Sequence, residues 1–394
     1  MGDSLRTRQL TIGLVAGEVS GDQLGGALIE ALREALPGTR FVGLAGEHMR
    51  AAGCESLGSC EELAVMGLVE PLRHLPRLLR LRARLRREFL ARRIDVFVGV
   101  DAPAFNLGLA RWLKSRGIPT AQYVSPQVWA WRAGRVPGIA RSVDAVLCLL
   151  PFEPRCYAGH PVRAPFVGHP LADRIPLASG RAAARQALGL APDATVVAVL
   201  PGSRRGEVSR LGADFAAACS ALASRAAGPV EFIAPMAAPA VADIFGAQVA
   251  SSGAAIRLLD RQADLALAAA DVALVASGTA TLQAMLHGCP MVVAYRLAPI
   301  TAFLARDMGL VKLKVFSLPN LLAGEHQAGE TLVPEFFQQA VTPGALAQAL
   351  AGLLRDDAHR SVLRERFGTL HRELRQDSAR KAARVVIELA GRAP

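Results

Sequence analysis

The sequence predicts a parallel α/β protein made of two doubly wound, Rossmann-like domains facing each other across a cleft. Three observations carry this expectation. Short β-branched runs alternate with Ala/Leu/Arg-rich helical stretches along the whole chain, as in repeated β-α units. The loops after several apolar runs are rich in Gly, Ser, Asp and Arg, and those loops are where open α/β sheets hold ligands. The length of 394 residues suits two or three domains of about 150 residues, with enough chain for a core that needs no metal or disulfide staple.

In the first half the expected strands are Leu10–Ala16, Arg40–Leu44, Val96–Val100, Thr120–Val124, Ala145–Leu150 and the short Pro165–Val167. A second series runs Thr195–Leu200, Glu231–Pro235, Ile256–Leu258, Val272–Ala276 and Met291–Tyr295. Pro176, Gly180, Gly189 and Pro192 mark a linker with one helix between the two series. The expected domains are therefore 1–180 and 181–344, with Arg/Ala-rich helices from about 345 to 394 at the end. No short repeat is visible, which argues against a solenoid.

Hydrophobic residues make up 52% of the chain, charged residues 20% and aromatics 5%, which excludes a disordered or collagen-like chain. Lys and Arg number 45 against 34 Asp and Glu, for a formal net charge of +11. Such an excess points to an anionic partner: nucleic acid, an acidic membrane surface or a phosphorylated small molecule. The six cysteines (54, 60, 148, 156, 219, 289) form no C-x-x-C pair, so neither a zinc site nor a redox motif is signalled. They read as buried thiols in a reducing compartment. No apolar run reaches the roughly 18 residues of a membrane span. The apolar stretch 10–16 leads at once into Gly17-Glu-Val-Ser-Gly-Asp22, a strand feeding a loop rather than a signal segment. A cytoplasmic location is expected.

Four strand-end loops carry the chemistry. After the first strand come Gly17, Glu18, Ser20, Gly21 and Asp22, then Gly25-Gly26 and an amphipathic helix. Glycines permit a tight turn there and a helix N-terminus offers N–H groups to an anion, although Ser20 or Asp22 can equally be a plain cap. The run Val96–Val100 ends in Asp101-Ala-Pro-Ala-Phe-Asn106. A carboxylate closing an apolar strand is costly unless partnered or functional, and a raised pKa there makes a general base. The alternative is a carboxylate satisfied by its own loop. In the second half, Pro201-Gly202-Ser203-Arg204-Arg205 opens a helix; small residues and guanidinium groups at such a start suit a pyrophosphate. Val272–Ala276 leads to Ser277, Gly278, Thr279 and Ala280, again at a helix start, where a Ser/Thr cap is the plain alternative. Asn320, in Ser317-Leu-Pro-Asn320, is either a site amide or a turn residue.

Tyr123-Val-Ser-Pro-Gln-Val-Trp129-Ala-Trp131-Arg132 holds two of the three tryptophans, either core or a sugar- or lipid-facing wall. From Leu72 to Arg93 there are nine arginines against the single Glu88, with Leu75, Leu78, Leu81, Leu85 and Phe89 at helical spacing. This basic amphipathic helix, with Arg77, Arg80 and Arg84 among its cations, reads as a membrane-surface element, against the plainer reading of a solvated face. Just upstream, Met66 and Leu68 lie in an apolar patch suited to an acyl chain or to the core.

In this order, the loops resemble the lipid A disaccharide synthase family. The matching stretches are VAGEVSGD (15–22), ELAVMGLVE (62–70), DVFVGVDAPAFN (95–106), YVSPQVWAWR (123–132), LPFE (150–153), FVGHP (166–170), LPGSRRGEV (200–208), LVASGTATL (274–282) and SLPNLLAG (317–324). The resemblance implies a GT-B fold whose C-terminal helices cross back to the first domain. It also implies an enzyme that transfers 2,3-diacylglucosamine from its UDP conjugate onto 2,3-diacylglucosamine 1-phosphate (lipid X), releasing UDP. Such an enzyme acts in lipopolysaccharide assembly, peripheral on the inner face of the inner membrane with its anionic phospholipid. Homodimers with swapped C-terminal portions are implied as well. By position, Glu18, Ser20 and Asn320 join the site, and Gln338 becomes a uracil or ribose neighbour. Gln283 stands where related transferases often carry a ribose-binding glutamate; an amide lacks that charge.

A β bond formed from an α-linked donor requires inversion, hence a base for the acceptor hydroxyl, and Asp101 is the carboxylate best placed. Arg204 and the helix N-termini near 203 and 278 would stabilise the departing diphosphate. No D-x-D triplet occurs, so neither metal nor cofactor is expected. Competing readings are another GT-B enzyme using UDP-N-acetylglucosamine (a lipid-linked transferase or a 2-epimerase) and a non-catalytic peripheral membrane protein. Nucleic acid binding is disfavoured, because the arginine run is not interleaved with aromatics.

Overall fold

The computed structural model describes residues 9–64, 71–129, 133–178, 180–226, 228–297, 315–324 and 331–391. The chain divides into two compact units, residues 1–173 with 374–394, and residues 174–373. Each is built on one six-stranded parallel sheet. In the first, β1 (Thr11–Ala16), β2 (Arg40–Ala45), β3 (Cys54–Ser59), β4 (Val96–Val100), β5 (Thr120–Tyr123) and β6 (Ala145–Leu147) lie in the order β3-β2-β1-β4-β5-β6. In the second, β7 (Thr195–Leu200), β8 (Val230–Met236), β9 (Ile256–Asp260), β10 (Val272–Ala276), β11 (Met291–Tyr295) and β12 (Glu335–Phe337) repeat it as β9-β8-β7-β10-β11-β12. This is the doubly wound Rossmann order, which reverses direction beside the first strand of each unit.

Burial accounts for the strand composition. β1, β4, β7 and β10 are covered on both faces, so Ile, Val, Leu and Ala run without alternation. Three aspartates fix the lower ends of the sheets. The backbone N–H of Thr11 donates to Asp95 (2.8 Å), that of Thr120 to Asp144 (2.9 Å) and that of Val196 to Asp271 (2.8 Å). Asp271 is further held by Arg181 and the buried Arg185. β3 and β12 lie beyond the strands expected from sequence. Both are edge strands, β3 being Cys-Glu-Ser-Leu-Gly-Ser and β12 only three residues long, and neither shows an apolar run. Residues 165–167 form no strand, contributing only a single bridge from Phe166 to Cys148.

One face of the first sheet packs against the helices Val19–Ala35 and Ser378–Gly391; Ala382, Ala383, Val386, Leu389 and Ala390 join one core with Leu10, Ile12 and Val98. The opposite face is covered by the helices Pro71–Ala91, Pro103–Lys114 and Val136–Ser142, through Leu81, Leu85, Phe89, Phe105 and Ile139. The sequence reading starts the return to the first domain at about 345. In the structure the helix Pro343–Arg355 packs on Arg205–Ala223, β10 and β11, and the helix Asp357–Leu374 also falls almost wholly in the second unit; only the last helix completes the first. At that passage the Asp173 carboxylate accepts the backbone N–H groups of Gln376 (3.0 Å), Asp377 (2.9 Å) and Ser378 (2.7 Å), capping the last helix. Gly168 has φ +93°, and a Cβ there would stand 2.4 Å from that of Gln376, so the FVGHP glycine is required by a close backbone approach. Among the described residues no helix is long and apolar enough to cross a membrane.

Candidate active site

In sheets of this order ligands collect where the strand order reverses, beyond the carboxyl ends of the central strands. For the first sheet this point lies between β1 and β4, and for the second between β7 and β10. All four chemistry-bearing loops anticipated from sequence follow these strands.

In the first unit β1 ends at Ala16, and the helix Val19–Ala35 starts after an exposed Glu18. The first backbone bond of that helix is Asp22 N–H to Glu18 C=O (2.9 Å); among the described residues the amides of Val19, Ser20 and Gly21 find no acceptor. Asp22 is a cap, but for another helix: its carboxylate accepts from Gly46 N (2.7 Å), His48 N (2.8 Å) and Met49 N (3.2 Å) at the start of Glu47–Ala51.

β4 delivers Asp101, and the backbone there is strained. Asp101 (φ +52°) and Ala102 (φ +41°) are two successive non-glycine residues in the left-handed region. Two fully buried amides hold the turn. Asn106 Nδ2 donates to the Asp101 carbonyl (2.8 Å) and to Val15 O (3.2 Å), while Gln122 Nε2 donates to the same Asp101 carbonyl (2.9 Å). Gly17 lies against this turn, since a Cβ there would meet that of Ala102 at 2.2 Å. Gly21 is close as well, its notional Cβ being 3.6 Å from Asp101 Cβ. Burial raises the Asp101 carboxyl above the ordinary carboxylate range, and the Ala102 amide partly offsets this. A carboxyl so placed is a stronger proton acceptor than an exposed carboxylate.

A second carboxyl, Glu153 of the LPFE stretch, lies beyond the carboxyl end of β6. It is buried and accepts from Leu149 N (2.9 Å) and Leu150 N (3.0 Å). Burial pushes it up to about 7 against the pull of those amides and of the neighbouring Trp129 indole. Trp129 also packs edge-on to Phe152, with ring centroids 5.3 Å apart. Met66, Leu68, Trp131 and Arg132 lie outside the described residues.

In the second unit the amides of Ser203 and Arg204 are not open. Both donate to the Glu207 carboxylate (3.1 and 3.3 Å), which covers the start of Arg205–Ala223 as the glutamate half of a capping box does. Gly202, at φ +130°, lets the loop fold onto that carboxylate. The Arg204 side chain is exposed, and among the described residues no carboxylate pairs with it. The β10 loop differs. Gly278 (φ +155°) gives no side-chain cap to the helix Thr279–Leu286, and the Thr279 and Ala280 amides have no acceptor among the described residues. Ser277 turns away, donating to Phe316 O (3.0 Å).

Three further residues named from sequence complete the second unit's site candidates. Asn320, anticipated as catalytic, is fully buried and spent: Nδ2 donates to Val333 O (2.9 Å) and Glu335 (2.6 Å), and Oδ1 accepts from Val333 N (2.8 Å). Glu335 also accepts from Phe316 N and Ser317 N (both 2.9 Å), so this pair bolts the 315–320 segment to β12. Gln283 donates to Asp264 (2.6 Å), which also pairs with His287 (2.9 Å) and is held at about 2 by that contact first. Gln338, at φ +51°, follows β12 at the sheet edge, beside a cluster of Tyr295, Phe316 and Phe337 with ring centroids 5.5 to 6.1 Å apart.

Two Rossmann-type sheets with these loops define a GT-B glycosyltransferase fold. Solved structures of that shape include MurG of Acinetobacter baumannii (TM-score 0.58, 14% identity, covering 97% of this chain and 100% of that one). UDP-GlcNAc 2-epimerase of Neisseria meningitidis is another (TM-score 0.61, 11% identity, 96% and 99% covered). Sequence narrows the class further. Residues 12–386 match the lipid-A-disaccharide synthetase family. The chain is 51% identical over 390 residues to the lipid-A-disaccharide synthase of Sodalis glossinidius (98% of this chain, 100% of that one). It is 50% identical over 386 residues to that of Alkalilimnicola ehrlichii (97% and 99%). The chain belongs to the lipid-A-disaccharide synthetase family, and its class is glycosyltransferase.

Proposed function

We propose that the protein transfers 2,3-diacylglucosamine from its UDP conjugate to the 6-hydroxyl of 2,3-diacylglucosamine 1-phosphate, leaving a β-1′,6-linked disaccharide 1-phosphate and UDP. The observation that carries this reading is the Asp101 turn: a carboxyl raised by burial, at the point of strand reversal, on a backbone fixed by two buried amides. In this mechanism Asp101 takes the proton of the acceptor hydroxyl while its oxygen attacks the anomeric carbon from the face opposite the leaving UDP. The C1–O bond to the diphosphate breaks with inversion. The growing negative charge is met by the Arg204 guanidinium and the open Thr279 and Ala280 amides. The Ser203 amide joins them only when Glu207 swings aside. Gln338 is assigned to the uracil or ribose, and Gln283 joins it as an amide only on releasing Asp264.

The lipid substrates fit a peripheral position on the inner membrane. Leu75 and Leu79 are exposed on the basic helix beside Arg77 and Arg80, an apolar edge among cations suited to an anionic phospholipid surface. Arg84 is drawn off towards Glu62 (3.6 Å). A homodimer with exchanged C-terminal portions belongs to the same reading. The test is incubation with UDP-diacylglucosamine and the acylated 1-phosphate acceptor, followed by mass analysis. A product with one hexosamine more than the acceptor, and stoichiometric UDP, supports the reading. Turnover of UDP-N-acetylglucosamine without an acceptor would replace it with an epimerase.

A further inference from the structure

On the flank of the first unit, three guanidinium groups are gathered with no carboxylate partner among the described residues. Arg82 stacks on Phe105, its Cζ 4.9 Å from the ring centroid. Arg86 and Arg116 both lie against the Trp112 ring, at 4.9 and 3.6 Å. By contrast Arg77 and Arg84 on the same helix face Glu62, and Arg92 just beyond its end pairs with Glu55 and Glu88. Arg82, Arg86 and Arg116 pair with no carboxylate among the described residues. Arg82 donates to Phe105 O (3.0 Å) and Arg116 to Trp112 O (3.2 Å), while Arg86 makes no protein hydrogen bond among those residues.

Stacking orders these side chains without neutralising them. Burial comes first among the causes that disfavour the charge of Arg82 and of Arg86, and the neighbouring cation adds to each: Arg86 for Arg82, Arg116 for Arg86. Like charges held together in a partly dry setting are stabilised by any anion that enters between them. A guanidinium stacked on a ring keeps in-plane N–H groups for an anion beyond the bonds that Arg82 and Arg116 give to carbonyls, and that planar fork matches two oxygens of a phosphate.

We propose that Arg82, Arg86 and Arg116, ordered by Phe105 and Trp112, form a phosphate-binding site on the helix Pro71–Ala91 and the turn that ends Pro103–Lys114. The ligand class is a phosphate monoester or diester, with two possible sources: a phospholipid headgroup of the membrane surface or the 1-phosphate of a glycolipid. Only the choice of these sources rests on the lipid-handling function proposed above; the site itself stands on the uncompensated charge.

The test compares Arg86→Gln/Arg116→Gln with a charge-matched pair, Arg87→Gln/Arg111→Gln, both exposed on the same two helices. Calorimetric titration at low salt uses inorganic phosphate and glucosamine 1-phosphate as probes. Flotation uses vesicles of one part phosphatidylglycerol in three parts phosphatidylcholine. Loss of at least about tenfold in affinity in the 86/116 pair, with less than about twofold in the 87/111 pair, is the expected result. If the loss falls on the soluble probes the site takes a monoester; if it falls only on vesicles it takes a headgroup. Arg86→Lys/Arg116→Lys keeps the charge and removes the fork, and is expected to bind more weakly than the parent. Equal losses in the two neutral pairs, or no binding of any probe, would overturn the proposal. None of these readouts uses sugar transfer, so an inactive transferase and a missing phosphate site give separate results.

Discussion

At Asp101 the chain holds two left-handed non-glycine residues in succession, a conformation that costs on the order of 1–3 kcal/mol per residue. The cost is met by bonds from Asn106 and Gln122, which fix the main chain and, among the described residues, leave the carboxylate without a side-chain partner. Asp101→Asn is therefore expected to lower kcat by about a hundredfold or more while UDP affinity changes little, checked by single turnover and by UDP titration. Because the carboxyl is raised and acts ionised, the rate of the parent should rise with pH through a value above the ordinary carboxylate range. Asn106→Ala releases one anchor of the turn. It should reduce kcat by about tenfold, shift that acidic limb and leave KM for the donor nearly unchanged, whereas a general loss of fold would move all three. Asp101 was legible in the sequence because a carboxylate ends an apolar strand. Asn106 and Gln122 were not, since their bonds reach a carbonyl 5 and 21 residues away. The one available hint is a glutamine inside the apolar run of β5. The bonds of Asn320 are hidden for the same reason: its partner Glu335 lies 15 residues on, within a strand too short to read.

Glu153 yields a prediction about stability at the same scale. Its folded value of about 7 lies above the ordinary 4.5, so the folded state binds the extra proton between those two values. Stability contributed by this carboxyl is full below about pH 4.5 and is lost as pH rises through about 7, by about 3 kcal/mol in all. Glu153→Gln should flatten that slope, and denaturant midpoints measured from pH 5 to pH 8 check it.

Among the elements, the central strands and the basic helix are readable because burial on both faces, or on one stripe, imposes a composition. The edge strands β3 and β12 escape because solvent and a single neighbour impose none. Helix starts fall between these cases. Sequence marks both glycine-rich loops of the second unit as anion seats, but only the structure tells them apart: one helix start is covered by Glu207, the other is bare. Glu207→Ala should free the Ser203 and Arg204 amides and remove a competing negative charge. UDP is then expected to bind several-fold more tightly, about 1 kcal/mol, while the lost cap lowers stability by a similar amount. Calorimetric titration and thermal melting measure the two effects on one sample, and weaker UDP binding would count against this account of the loop.

At the scale of the molecule, the strand order and both reversal points follow from the alternation of runs and loops, which is why all four anticipated loops fall at the ends of β1, β4, β7 and β10. The passages between units were less legible. Helices 343–355 and 357–374 share the composition of the last helix, and only their packing assigns them to the second unit. The bonds of Asp173 to residues 376–378 span two hundred positions, and no local pattern announces them.

That arrangement constrains how the protein is made. A ribosome delivers β1 to β6 first, yet their sheet lacks the cover of Ala382, Ala383, Val386 and Leu389 until the helix Ser378–Gly391 has been made, after the whole second unit. A chain cut back to Glu373 should expose its first unit to a protease while its second unit resists, and the chain carried through Gly391 should protect both. Early synthesis thus leaves an apolar surface open for as long as the second half takes to emerge, a window in which a chaperone has a defined place to hold.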